Sequence, residues 1–165
     1  MEKIIYAAIL TISDRSYKKE REDLSGPAII AKIKSLGFTL FDYKIVPDEK
    51  EQIVEALNDW AEKQVALIFT TGGTGFSPRD ITPEAVRSVL DKETPGISEY
   101  LRYKSFQLTP HAVLSRAVSG IKNKSLIINL PGSPKAAIEC IDFLTPVLPH
   151  ALELIADDPI AEENH

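Results

Sequence analysis

A single cysteine, Cys140, among 165 residues leaves no partner for an internal disulfide, which fits a reducing compartment. Its neighbours Ile138 and Ile141 suggest a thiol buried in a helix, and no activating pattern of the kind a catalytic cysteine needs surrounds it. There is also no Cys/His cluster at metal-ligand spacing, no internal repeat, no low-complexity tract and no linker. The chain therefore reads as one domain over 1–156 followed by an acidic tail, 157–165. An excess of positive charge is missing too. With 19 Lys and Arg against 24 Asp and Glu, the net charge of −5 argues against a nucleic-acid partner. A phosphate-bearing ligand would have to be held by local donors, or by a metal ion, against the overall field. Long hydrophobic runs are absent. The apolar stretch 4–12 is only nine residues, too short to cross a bilayer, and Ser13-Asp14-Arg15 follows it where a signal peptide would place small residues. The expectation is a buried strand and a cytoplasmic protein with no membrane partner.

Glycine is scarce as well, and three of the eight fall within four positions. The apolar run 65–69 empties into Thr70-Thr71-Gly72-Gly73-Thr74-Gly75, and Thr82-Pro83-Glu84 starts a helix: strand, glycine turn, acidic loop, helix. Without a Cβ, such a turn can take positive φ, approach a ligand and point successive N–H groups at an anion. The spacing is neither G-x-x-x-x-G-K-[ST] nor G-x-G-x-x-G, so the Walker and dinucleotide-binding readings do not apply. A plain turn is the alternative; Arg79-Asp80, charged and just past a strand end, favours a ligand site.

Around this stretch, strands and helices alternate. The strand 4–12 leads to Ser13-Asp14-Arg15, at the rim where open sheets bind ligands, and then to a charged loop, 16–23. Ser25-Gly26-Pro27 opens a helix that Ser25 can cap, with Ile29, Ile30, Ile33 and Leu36 along one stripe and Gly37 at its end. A strand at 38–46 precedes Pro47-Asp48-Glu49. Asp48 with Glu51 has capping-box spacing, so by itself Asp48 reads as a helix cap before it reads as catalytic. The segment 91–96 breaks the chain before a helix at 97–107, whose Tyr100 and Tyr103 are core by default. His111, alone after Pro110, reads as structural. Strands at 117–121 and 125–130 turn at Lys122-Asn123-Lys124, and Asn123 can take the left-handed conformation.

The second motif is Asn129-Leu130-Pro131-Gly132-Ser133-Pro134-Lys135. Pro131-Gly132 turns, Ser133 caps, and Pro134 fits the first helical position. Lys135 opposes the helix dipole there, which suits either a bound anion or a side chain in solvent. Helices at 134–144 and 146–156 complete the pattern.

The run Thr70-Thr-Gly-Gly-Thr-Gly-Phe-Ser-Pro-Arg-Asp-Ile-Thr-Pro-Glu-Ala85, with Leu114-Ser115-Arg116 and the Pro131–Lys135 loop, resembles the molybdopterin-binding proteins of molybdenum-cofactor biosynthesis. Within them it looks most like the molybdopterin adenylyltransferases of the MogA type, over nearly the whole chain. The resemblance and the alternation of elements imply an α/β three-layer sandwich with a mostly parallel central sheet, a single molybdopterin-binding domain. They also imply transfer of AMP from Mg-ATP to the molybdopterin phosphate, giving adenylyl-molybdopterin and pyrophosphate. On the resemblance, Asp48 and Asp80 are catalytic and hold Mg²⁺. Gly72, Gly73, Thr74, Gly75, Ser115, Arg116, Pro131, Gly132, Ser133 and Lys135 bind the pterin substrate, and Ser13 and Asp14 lie nearer the nucleotide. The resemblance further implies a homotrimer and a molybdenum-inserting partner protein. Two alternatives stand beside this reading: a MoaB-type relative without the transferase activity, and a protein that holds molybdopterin without chemistry. The acidic pattern at Asp48-Glu49 and Arg79-Asp80 favours the active branch.

Overall fold

The structure is a computed structural model and describes residues 3–157. Of the acidic tail expected at 157–165, only Asp157 lies among the described residues. Six strands form one sheet: β1 (Tyr6–Ile12), β2 (Thr39–Val46), β3 (Leu67–Thr71), β4 (Lys92–Glu93), β5 (Ser119–Lys122) and β6 (Ser125–Leu130). Their order is β2-β1-β3-β6-β5-β4. The first four are parallel; β5 and β4 add an antiparallel edge. The helices are α1 (Asp14–Tyr17), α2 (Ser25–Ser35), α3 (Lys50–Glu62), α4 (Thr82–Val89), α5 (Pro95–Phe106), α6 (Pro134–Leu144) and α7 (Leu148–Ile155), with a 3₁₀ turn at Pro110–Leu114.

Hydrophobic pattern dictates the layers. β3 and β6 are buried along their whole length, as strands covered on both faces must be, whereas the edge strand β2 alternates. On one face Ala7, Ile9, Phe69 and Ile128 pack with Ile29 and Ile33 of α2, Leu101 of α5 and Ile141 of α6. On the other face Ala8, Leu10, Ile68 and Ile127 meet Ile53, Leu57 and Trp60 of α3 and Val86 of α4. Strand follows strand in level register, Thr11 beside Thr71 and Thr71 beside Leu130, so the carboxyl ends of β1, β3 and β6 finish together. The chain leaves β1 for α2 on one face and β3 for α4 on the other, which puts the crevice of the sheet between those two strands.

Local details depart from the sequence reading in several places. The charged segment 16–23 is not simply a solvated loop. α1 occupies its start, and Asp23 anchors its end by accepting hydrogen bonds from the backbone N–H groups of Ser25 and Gly26, both at 3.1 Å. Asp23, not Ser25, therefore supplies the cap of α2; the Ser25 hydroxyl donates instead to the Gly132 carbonyl. Asp48 does not cap α3 either, because its carboxylate turns back toward Asp14 and Glu49 stands at the N-cap without a side-chain bond. The breaker 91–96 contains β4, which pairs with β5. Tyr100, Tyr103 and Phe106 are 41%, 62% and 53% exposed, so these aromatic side chains of α5 lie at the surface and not in the core. Gly37 and Asn123 take the expected positive φ, 89° and 52°.

Candidate active site

Four loops leave the carboxyl ends of the parallel strands at one rim, and backbone geometry fixes the glycine turn in its centre. Gly72 has φ 100° and Gly73 φ 65°, conformations that a side chain strains. A Cβ on Gly72 would strike the Ile12 carbonyl, and one on Gly73 would strike the Thr82 hydroxyl and reach 3.0 Å from Asp48 Oδ1. Thr82 ties the turn down: its hydroxyl donates to the Gly72 carbonyl at 2.9 Å and its N–H to the Gly73 carbonyl at 3.1 Å. Behind it, the Asn129 amide donates to the Thr70 hydroxyl at 2.9 Å and accepts from the Val118 N–H at 3.1 Å.

Asp14 and Asp48 hold each other through the backbone. The Asp14 N–H donates to Asp48 Oδ2 at 2.9 Å and the Asp48 N–H to Asp14 Oδ1 at 3.0 Å, so two loops 34 residues apart are joined at the second residue past each strand. Arg79 then closes on Asp14 with Nε and Nη2, at 3.0 and 2.9 Å, and reaches Glu49 at 2.8 Å. This two-point contact holds the Asp14 carboxyl below the usual carboxylate range. Asp48 is pushed the other way, by burial first and then by the neighbouring charges of Asp14 and Asp80. Asp80 accepts from the Ser77 N–H at 3.1 Å, and its Oδ2 lies 2.9 Å from where a Cβ of Gly75 would stand. Asp48 and Asp80 thus face the glycine turn from two sides, at Gly73 and Gly75.

Among the described residues no group of three or more His, Cys, Asp and Glu is arranged as a metal cage. Two hard carboxylates beside an anion-binding turn nevertheless fit Mg²⁺, which takes one or two carboxylates and completes its shell with water and substrate phosphates. The like charges that raise Asp48 are what a divalent cation would relieve.

The other predicted residues fall in four groups. Gly72, Pro131, Gly132 and Ser133 meet at the strand ends, where the Thr71 hydroxyl donates to the Pro131 carbonyl at 2.8 Å. Gly72, Gly132, Ser133 and Ser13 line a cleft of about 250 Å³ together with Thr71 and Ser25. Arg116 is committed inside the loop: Nε donates to the Gly75 carbonyl at 2.8 Å, Nη2 to the Asp80 carbonyl at 2.9 Å, and Nη1 pairs with Glu84. In this position it shapes the loop that carries Asp80, and its N–H also binds the Thr74 carbonyl at 2.9 Å. Ser115 lies apart from the cleft, lining a smaller cavity of about 120 Å³ with Pro131 and Cys140. Lys135 projects into solvent, 88% exposed and 4.0 Å from Glu139. Ser133 caps α6 as expected, accepting from the Ala136 N–H at 3.3 Å.

The sequence places Arg79 and Glu49 in the loops of the site without giving either a role, and reads Thr82 only as a helix start. Their roles are hydrogen bonds between loops distant in sequence, which spacing along the chain does not report.

The chain matches the family model described as "Probable molybdopterin binding domain" over residues 8–150. It is 45% identical over 160 residues to the molybdenum cofactor synthesis protein cinnamon of Drosophila melanogaster, covering 96% of this chain but only 26% of that much longer protein. It is 45% identical over 154 residues to a molybdopterin adenylyltransferase of Helicobacter pylori, covering 92% of this chain and 88% of that one. The crystal structure of the molybdopterin biosynthesis enzyme MoaB of Thermus thermophilus superposes with a TM-score of 0.89 at 44% identity, over 94% of this chain and 99% of that one.

Proposed function

Because the chain belongs to the molybdopterin-binding domain family of molybdenum-cofactor biosynthesis, we propose that it is a molybdopterin adenylyltransferase. It transfers AMP from ATP to the terminal phosphate of molybdopterin. One observation carries the reading: Asp48 and Asp80, from different loops, face the same glycine turn at Gly73 and Gly75. Relatives named as molybdopterin adenylyltransferases also match over most of their own length, at 88% in Helicobacter pylori and 70% in Escherichia coli.

In the reaction an oxygen of the molybdopterin phosphate attacks the α-phosphorus of ATP. A new P–O bond forms, the bond from the α-phosphorus to the α–β bridging oxygen breaks, and pyrophosphate leaves with that oxygen and its electron pair. Two anions must be brought together, and the chain's work is positioning and charge. Mg²⁺ held by Asp48 and Asp80 would neutralise charge on the phosphate oxygens. The N–H groups of the turn from Gly73 to Gly75 present fixed dipoles to an anion, the Gly72 N–H being taken by the Leu130 carbonyl at 3.3 Å. Arg79 takes up the charges of Asp14 and Glu49, which leaves Asp48 and Asp80 as the carboxylates turned toward the substrates. Arg116 holds the carbonyls of Gly75 and Asp80 so that the Asp80 side chain keeps its direction.

Ser13 and Asp14 serve the nucleotide side, and Gly132 and Ser133 the pterin substrate. A homotrimer, a cytoplasmic location and a partner that inserts molybdenum belong to the same reading. Among the described residues no helix is long and apolar enough to cross a membrane.

Mixing the protein with Mg²⁺, ATP and molybdopterin is expected to yield adenylyl-molybdopterin and pyrophosphate, identified by mass spectrometry. Molybdopterin that binds but is never adenylylated would leave a binding protein in place of an enzyme.

A further inference from the structure

One wall of the cleft at the strand ends is a strap, Lys18 to Leu24, that the motifs do not include. Backbone bonds from the Glu20 and Arg21 N–H groups to the Arg15 carbonyl, at 2.9 and 3.3 Å, tie it to α1, and a single side chain fastens its end at α2. Asp23 Oδ1 accepts from the N–H groups of Ser25 and Gly26, and Oδ2 accepts from the Thr11 hydroxyl at 2.7 Å and from the Tyr43 hydroxyl. Four donors from β1, β2 and α2 thus converge on one carboxylate. Gly26 makes room for this clip, since a Cβ there would strike both Asp23 and the Tyr43 ring. Burial and the Asp23 charge both push the Tyr43 hydroxyl far above its ordinary pKa, so it stays a donor throughout the physiological range.

Two residues before the clip, Arg21 lines the cleft together with Gly72, Gly132 and Ser133, and with the acidic Glu22 and Asp23. It is the sole cationic side chain lining it, and its guanidinium makes no ion pair among the described residues. The other arginines of the site are engaged, Arg79 by Asp14 and Glu49 and Arg116 by Glu84, while Lys135 points to solvent. In a chain of net charge −5, a phosphate entering this cleft has one mobile positive partner there.

We infer that Arg21 receives a phosphate group of a substrate in the cleft, and that Asp23 is the positioning residue that holds the strap so that it can. The inference rests on the adenylyltransferase reading for the identity of the phosphate, which belongs either to the nucleotide or to the pterin. The clip explains why a polar, exposed strap carries so costly a concentration of hydrogen bonds: an arginine on a loose strap would lose its advantage to the entropy of ordering it.

The test is a double-mutant cycle on the full chain, read as KM for each substrate and as calorimetric binding of a non-hydrolysable ATP analogue and of molybdopterin. Arg21→Ala is expected to raise KM and weaken binding about tenfold for one of the two ligands, with kcat falling less than threefold; a loss for ATP marks the nucleotide phosphates and a loss for molybdopterin marks its terminal phosphate. Arg21→Lys recovers part of the loss by restoring charge without the fork. Tyr43→Phe, which keeps the ring and removes one donor, reproduces a smaller rise in the same KM. Asp23→Asn combined with Arg21→Ala costs no more than Arg21→Ala alone, because a displaced strap has nothing left to misplace. Unchanged KM and affinity for both ligands in Arg21→Ala would overturn the inference while leaving adenylyl transfer intact. Additive losses in the double variant would overturn the role of Asp23. A wild-type protein that binds both ligands without turnover would instead count against the enzymatic reading, and the binding arm would still decide on Arg21.

Discussion

Asp48→Asn is expected to lower the rate of adenylyl transfer by a factor of about 10³ or more while molybdopterin still binds and the protein melts no earlier than wild type. The two halves of this result have one origin. Asp48 is raised above the ordinary carboxylate range by burial and by Asp14 and Asp80, so its ionised form is costly in the folded chain. With the folded pKa above the unfolded one, the native state binds more protons through that window, and stability falls as pH rises across it. The penalty is absent below the unfolded pKa of about 4 and complete above the folded one. Asparagine removes it at neutral pH, and its amide oxygen can still accept from the Asp14 N–H, the contact that joins the two loops. Scanning calorimetry should therefore show a melting temperature equal to or above that of wild type at pH 7, with any gain vanishing as the pH approaches 4. A residue that costs stability and yet is required for turnover is what a catalytic carboxylate should look like. A large loss of melting temperature in Asp48→Asn would make the residue structural.

Gly73→Ala is expected to remove activity by at least two orders of magnitude and to lower stability by roughly 2–3 kcal/mol. The φ of 65° is strained for alanine, and the new methyl group would have to displace the Thr82 hydroxyl and press on Asp48 Oδ1. The turn and the carboxylate cannot both keep their places. Gly37→Ala provides the contrast. Gly37 also has positive φ, 89°, but nothing lies within 4 Å of where its Cβ would stand. It should cost about 1 kcal/mol and leave kcat unchanged. Equal activity losses in the two variants would mean that backbone strain alone is responsible, and that the contact between Gly73 and Asp48 is irrelevant.

Much of this architecture can be read in the chain. The continuous apolar runs that become β1, β3 and β6 require a sheet covered on both faces, and Gly37, Asn123 and Ser133 mark helix and hairpin ends by local chemistry. What sequence obscured was partnership at a distance. Asp48 has the spacing of a helix cap, but Asp14 offers it an N–H across 34 residues and that bond prevails. Ser25 has the identity of a cap, but Asp23 is better placed, and Ser25 turns to Gly132. Arg116 reads, on the resemblance, as a substrate-binding cation, yet three of its groups are bound within the loop around Asp80. β4 escapes notice because two residues, Lys92 and Glu93, carry no pattern of their own and exist as a strand only beside β5. In each case competition among donors and acceptors decides the outcome, and that competition is set by the fold.

The convergence of Asp48 and Asp80 on one cation is tested most directly with Mn²⁺ in place of Mg²⁺. Its complex with a non-hydrolysable ATP analogue can be titrated into the wild-type protein, Asp48→Asn and Asp80→Asn, with protein-bound manganese followed by electron paramagnetic resonance. The account predicts that each variant binds the metal–nucleotide complex at least tenfold more weakly and that both lose the same protein-bound signal. Wild-type affinity and an unaltered signal in either variant would contradict it.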